Sequence, residues 1–135
     1  VRIGGSTDTK GYGGFSTRIP LPGDLKILGP SGAVEPNTSA PSAAQPWVDF
    51  SGSFAGNGRT SGITVMVHPS HPGHPPGWTI RRRESCQNPV FPGRDLFLLP
   101  TDAPLVLRYR VVLHRGGKDD AGISQRFEDY AKNYP

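Results

Sequence analysis

Residues 47–68 read WVDFSGSFAGNGRTSGITVMVH. The first eight alternate, with Trp47, Asp49, Ser51 and Ser53 on one face and Val48, Phe50, Gly52 and Phe54 on the other. A period of two marks a half-buried strand, because successive side chains point to opposite sides of the pleat. Ala55–Arg59 supplies a turn, and its Asn57-Gly58 pair is the strongest short hairpin signal in the chain. Gly62–His68 is the return strand, β-branched and largely apolar. The stretch predicts an antiparallel hairpin.

Working outward, Tyr12–Arg18 reads as a strand with a glycine pair inside it, and Leu25–Leu28 as a short second one. Gly29–Pro46 is rich in small residues and proline, which predicts a long surface loop or a linker. It carries the glycosylation sequon Asn37-Thr38-Ser39, meaningful only in a eukaryotic secretory setting. Trp78–Arg83 and Asp95–Leu99 are further strand candidates. Leu105–His114 has the clearest alternation. Leu105, Leu107, Tyr109, Val111 and Leu113 form its expected core face, and Val106, Arg108, Arg110, Val112 and His114 its polar one.

The period then changes. Asp119 or Asp120 can cap a helix, and Ile123, Phe127, Tyr130, Ala131 and Tyr134 share one helical face. The expectation is a single β-rich domain over 1–135, with a C-terminal helix at 120–134 packed on the sheet through Ile123, Phe127 and Tyr130. The fold class is mainly β, an antiparallel β-sandwich with one C-terminal α-helix. Spacing alone does not choose between sandwich and closed barrel; the sandwich is the reading adopted.

Composition agrees. Glycine and proline number 18 and 15, which suits turns joining short strands. The single cysteine, Cys86, excludes an intrachain disulfide and every paired-cysteine metal motif. No apolar run approaches the roughly 20 residues of a membrane helix, so no membrane partner is expected. The net charge is +4, and residues 68–118 hold much of the basic excess. That could attract anionic sugars, phosphates or nucleic acid. Nucleic acid is disfavoured, because Tyr109 points away from Arg108 and Arg110 and no stacking platform results.

The hairpin runs into HPSHPGHPPGW at 68–78, where His68, His71 and His74 recur every third residue, each followed by proline. An extended polyproline-like path would place the three on one edge, about 9 Å apart. That is too far for one zinc ion, which needs each nitrogen at roughly 2 Å. No metal and no cofactor are therefore expected. Acid–base chemistry suits histidine better. His68 and His74 are expected to share a pocket with Trp78, Arg81 and Asn88, and His71 to face solvent.

Five segments in order, KGYGGFSTR, WVDFSG, HPSHPGHPPGWTIR, QNPVFPG and PLVLRYRVVLHRG, resemble an uncharacterised bacterial family labelled PmoA-like, or methane oxygenase PmoA. The likeness runs from Lys10 to about Tyr134 and resembles the C-terminal half of that family's length. It implies a β-sandwich similar to those of sugar mutarotases and polysaccharide-processing enzymes, with periplasmic or secreted placement. It also implies that a second chain or a homo-oligomer completes the sandwich. His68 and His74 fit the family's loop, and His71 stands where asparagine is expected. Arg18, Asp49, Arg81 and Asn88 fall in matching segments.

Three functions follow as expectations. The first is a non-catalytic module for carbohydrate binding or structural packing, part of a larger PmoA-like protein. The second is a carbohydrate-processing enzyme domain. His68 and His74 would be its acid and base, Asp49 would orient them, and Arg18, Trp78, Arg81 and Asn88 would hold the sugar. The third is the metal-dependent oxygenase that the label implies.

Overall fold

The computed structural model describes residues 2, 3, 7, 11–37, 39–82 and 85–133. Its centre is the hairpin, β4 (Trp47–Gly52) and β5 (Ser61–Val67), paired antiparallel from Trp47↔Met66 to Gly52↔Ser61. β2 (Lys26–Gly29) joins the free side of β4, and β3 (Gly32–Ala33) joins β2. β9 (Tyr109–Arg115) joins the free side of β5. The five-stranded sheet runs β3-β2-β4-β5-β9. Two smaller ladders complete the strands: β6 (Trp78–Arg81) with β7 (Cys86–Pro89), and β1 (Arg2–Ile3) with β8 (Phe97–Leu98).

The alternation read in β4 maps onto two cores. Val48 and Phe50 meet Ile27, Val65, Val67, Trp78 and Ile80 under the β6–β7 hairpin. Trp47 meets Met66 from the other side, beneath α1 (Ile123–Asn133). Every residue of β4 is buried, so this strand has no solvent face. The result is a mainly β, sandwich-like stack of antiparallel sheets with one C-terminal helix. Among the described residues no helix is long and apolar enough to cross a membrane.

The helix uses the predicted face. Ile123 and Tyr130 are buried, and Phe127 packs against the same cluster. Its entry differs from expectation. The Asp120 carboxylate accepts from the Gly117 N–H, within the preceding turn, and Gly122 at φ +62° leads into the helix. Tyr134, the last residue of the predicted face, lies outside the described residues, as do Arg83 of the predicted Trp78–Arg83 strand and Thr38 of the sequon.

Three other expectations change. Tyr12–Arg18 forms no strand: Gly11 and Gly14 take left-handed φ of +61° and +69°, and only Thr17 bridges to Gln87. Of the two readings of 29–46, the surface loop stands and the linker does not, because the stretch is anchored to the body at several of its described residues. Val34 and Ser42 are buried, and the Ser42 N–H donates to the Trp78 carbonyl. The Leu105–His114 pattern pairs as strand only from Tyr109, and its expected core face emerges at the sheet edge. Val111 is 43% exposed and Leu113 77%.

Candidate functional site: the histidine loop and the cleft beside it

The loop after β5 does not follow a polyproline path. The His71 N–H donates to the His68 carbonyl and the His74 N–H to the His71 carbonyl, which makes two successive turns. Gly73 at φ +74° permits the second. Turn hydrogen bonds satisfy backbone groups that an extended path leaves to water, and the His71 ring is thereby sent away from the other two.

His71 is the most enclosed of the three in function, opposite to the solvent-facing position expected of it. It is 2% exposed. A carbonyl oxygen can only accept, so Nδ1 donates to the Pro72 carbonyl at 2.8 Å. Nε2 is thereby left to accept from the Tyr109 hydroxyl, also at 2.8 Å. The ring sits edge-on to both Phe91 and Tyr109. It is a fixed strut between the loop, β9 and the 90–97 segment.

His68 and His74 turn the other way, under α1. His68 meets the edge of Tyr130, and the His74 ring lies parallel to Phe127. The Ser70 N–H points at His68 Nδ1 at 3.1 Å, so that nitrogen accepts and the proton of the neutral ring sits on Nε2. Nε2 of both rings is buried without a hydrogen-bond partner in the structure. Among the described residues no three His, Cys, Asp or Glu side chains gather to hold a metal ion.

Asp49 orients a histidine, but not one of this loop. Its Oδ1 accepts from His114 Nε2 at 2.7 Å and from the Thr64 hydroxyl at 2.6 Å, and Ser51 donates to Oδ2. Asp49 lies on the α1 side of the sheet, as His68 does. Four β5 positions separate Thr64 from His68, about 13 Å at the rise of a strand. The carboxylate collects three donors, and Ser51 bonds to it rather than to the imidazole. A nucleophilic triad needs the base in the middle. The Thr64 hydroxyl is also 3.3 Å from His114 Nε2, but that is the nitrogen already on Asp49, so the imidazole does not stand between carboxylate and hydroxyl, and the arrangement ties three strands together. His114 was legible only as a polar strand residue, since nothing local announces a partner 65 positions away.

Of the remaining predicted residues, Arg81 and Asn88 both reach the 12–15 segment, and Trp78 lies apart in the core. Trp78 is fully buried in the core, its Nε1 donating to the Gln45 carbonyl at 2.8 Å. Asn88 is fully buried and donates to the Gly13 and Phe15 carbonyls, fixing the 11–15 segment. Arg81 sits over the Tyr12 ring. Arg18 is exposed on a separate segment. The expected His68, His74, Trp78, Arg81 and Asn88 pocket is not assembled, because the two aromatic and amide groups are consumed by packing and backbone hydrogen bonds.

A cleft of about 720 Å³ lies beside the loop instead. Pro72, Gly73, Pro76 and Gly77 form one wall, and the segment from Val90 to Phe97 forms the other. Phe91 and Phe97 meet edge to face at 5.1 Å, and Arg94 and Asp95 are exposed at the rim. Phe91 links the cleft to His71 and so to the core. The sequence signal for this wall was the run VFPGRDLF at 90–97, where glycine and proline separate apolar residues from one cation and one anion.

Burial holds the His71 imidazole below its ordinary value of 6.5, against the upward pull of the Pro72 carbonyl. Burial also lowers His74, helped by nearby His71 and His68 and opposed by the Val67 carbonyl. A depressed folded value means that the unfolded chain binds protons first as pH falls. Stability should therefore be full above the unfolded value and decline as pH drops through about 6.5. Urea unfolding from about pH 7.5 to 5.5 should show this slope, and His71→Gln should flatten it. An unchanged slope in that variant would remove His71 as a source.

The model of a family of unknown function, DUF6807, matches residues 1–128. This chain belongs to DUF6807. No curated protein and no solved structure matches it. The DUF6807 match spans the β4–β5 hairpin, the histidine loop and both walls of the cleft, and ends within α1.

Proposed function

We propose that this DUF6807 chain is a non-catalytic carbohydrate-binding module that takes its sugar in the cleft between the histidine loop and residues 90–97. The observation that carries the reading is the cleft's composition. Its volume of about 720 Å³ is in the usual range for a small-molecule site. Phe97 and the prolines offer flat apolar surface for the C–H face of a pyranose. Arg94 and Asp95 supply a fork of donors and a pair of acceptors for ring hydroxyls.

Binding without turnover is favoured by what surrounds the cleft. Sugar hydrolysis needs an acid and a base within hydrogen-bond reach of the scissile oxygen. Among the described residues Asp95 is the single carboxylate on the cleft wall. His71 has both nitrogens engaged, and His68 is 3% exposed beneath the helix.

Titration of ¹⁵N-labelled protein with a panel of neutral and acidic oligosaccharides tests this. Amide shifts should cluster at residues 72–77 and 90–97. Phe97→Ala and Arg94→Ala should each weaken binding at least about tenfold with the folded spectrum retained. Shifts confined elsewhere, or none with any sugar, would reject the reading. Appearance of hydrolysis products would replace it with the enzyme.

A further inference from the structure

α1 roofs two imidazoles that have nothing beside them to answer a charge. The His68 ring meets the edge of Tyr130, and the His74 ring lies parallel to Phe127. Phe127 and Tyr130 are three positions apart and so share one face of the helix. Nε2 of each imidazole is buried with no hydrogen-bond partner in the structure. Neutral rings are tolerated among these aromatic side chains. An imidazolium is not, because a buried charge needs a counter-charge or hydrogen bonds.

No counter-charge faces them from any side. The charged side chains of α1, Arg126, Glu128, Asp129 and Lys132, are all exposed. The Asp129 carboxylate accepts from Gln125, and Arg126 donates to the Ala121 carbonyl. From the side of β9, Arg108 donates to the Ser70 hydroxyl and Arg110 lies over the Tyr130 ring. β4 and β5 contribute the uncharged Trp47 and Met66, and His71 is engaged by Pro72 and Tyr109. Among the described residues no carboxylate comes within ion-pair distance of His68 or His74.

The helix is also the element of this layer that can leave. It adds no strand to the sheet and packs on Trp47 and Met66 through Ile123, Phe127 and Tyr130. The connection from β9 turns at Gly116 and Gly122, with φ of +70° and +62°. Opening such an element costs less than unfolding the sheet. Burial already holds His74 below its ordinary value of 6.5, helped by His71 and His68 and opposed by the Val67 carbonyl. The ring therefore takes a proton more readily when the helix is away, and acid favours the open form.

We infer that α1 is a pH-sensitive lid: a proton taken up by His74 releases the helix and uncovers Trp47, Met66 and His68, while the β4–β5 hairpin stays paired.

Amide hydrogen exchange of the 135-residue chain at pH 7.5 and 5.5, corrected for the intrinsic pH dependence of exchange, tests this. Amides of α1 should open more often at pH 5.5 by up to about tenfold, the limit for one proton on a group of ordinary value 6.5. Amides of β4 and β5 should keep their protection. His74→Phe keeps a flat ring beside Phe127 and cannot take the proton, so α1 should open equally often at both pH values. His74→Gln should also lose the pH response, whatever its basal rate of opening. A change under about twofold in the unsubstituted chain would overturn the inference. So would an equal gain in β4 and β5, which would make the event global, or a pH response retained in either variant.

Discussion

Asp49→Ala should lower the free energy of unfolding by about 3–5 kcal/mol, the usual cost of removing one partner from a buried charged cluster. The carboxylate is fully buried and accepts from Ser51, Thr64 and His114, on three different strands or their ends. Alanine removes the acceptor shared by all three, leaving only the 3.3 Å contact between the Thr64 hydroxyl and His114 Nε2 among them, and adds a small cavity. Asp49→Asn keeps the volume and one good acceptor, so its cost should be smaller. Urea denaturation of both variants measures this. A loss under about 1 kcal/mol for the alanine variant would mean that solvent enters the cluster. A double-mutant cycle with His114→Ala should show strong coupling, since the two groups are 2.7 Å apart.

Trp78→Ala should be as severe, about 3–5 kcal/mol. The indole is fully buried between the β6–β7 hairpin and the main sheet, and its N–H holds the Gln45 carbonyl. Truncation opens a large void in the core that joins the two layers and frees the loop that Gln45 anchors. This result also separates two meanings of the same residue. A sugar-stacking tryptophan would lose ligand and keep stability. The buried one should do the reverse of that order, losing stability first. Thermal or urea unfolding of the variant decides, and unchanged stability would return Trp78 to the surface.

The parts of the fold written in local periodicity were legible in the sequence. Alternation through Trp47–Phe54, the Asn57-Gly58 turn and the β-branched return gave the central hairpin. The spacing of Ile123, Phe127 and Tyr130 gave the helix and its buried face. Periodicity identifies which side chains share a face but not whether anything covers that face. This is why Val111 and Leu113 were expected in a core and stand at an open edge. The candidate site was less legible, for a related reason. Trp78, Asn88 and Asp49 are residue types that bind ligands, yet here they satisfy distant backbone carbonyls and a distant histidine. His71 was misplaced because two turn hydrogen bonds outweigh the extended preference of the prolines around it. The cleft wall at 90–97 is marked in the sequence only by its mixture of apolar residues, glycine, proline and two charges, and packing against the histidine loop turns that run into a wall.

The doubly buried β4 has a consequence for how the chain avoids pairing wrongly. A slip of β4 by one residue against β5 would keep most backbone hydrogen bonds but invert every side chain. Trp47 and Ser51 could be borne on either side, but Asp49 could not. It would leave Thr64 and His114 and face Val65, Trp78 and Ile80, where no hydroxyl or imidazole waits for it. A carboxylate in such surroundings is far more costly than a misplaced methyl group. Asp49 thus works as a proofreading mark within an apolar strand, spelling out the one alignment of the hairpin that the chain can accept.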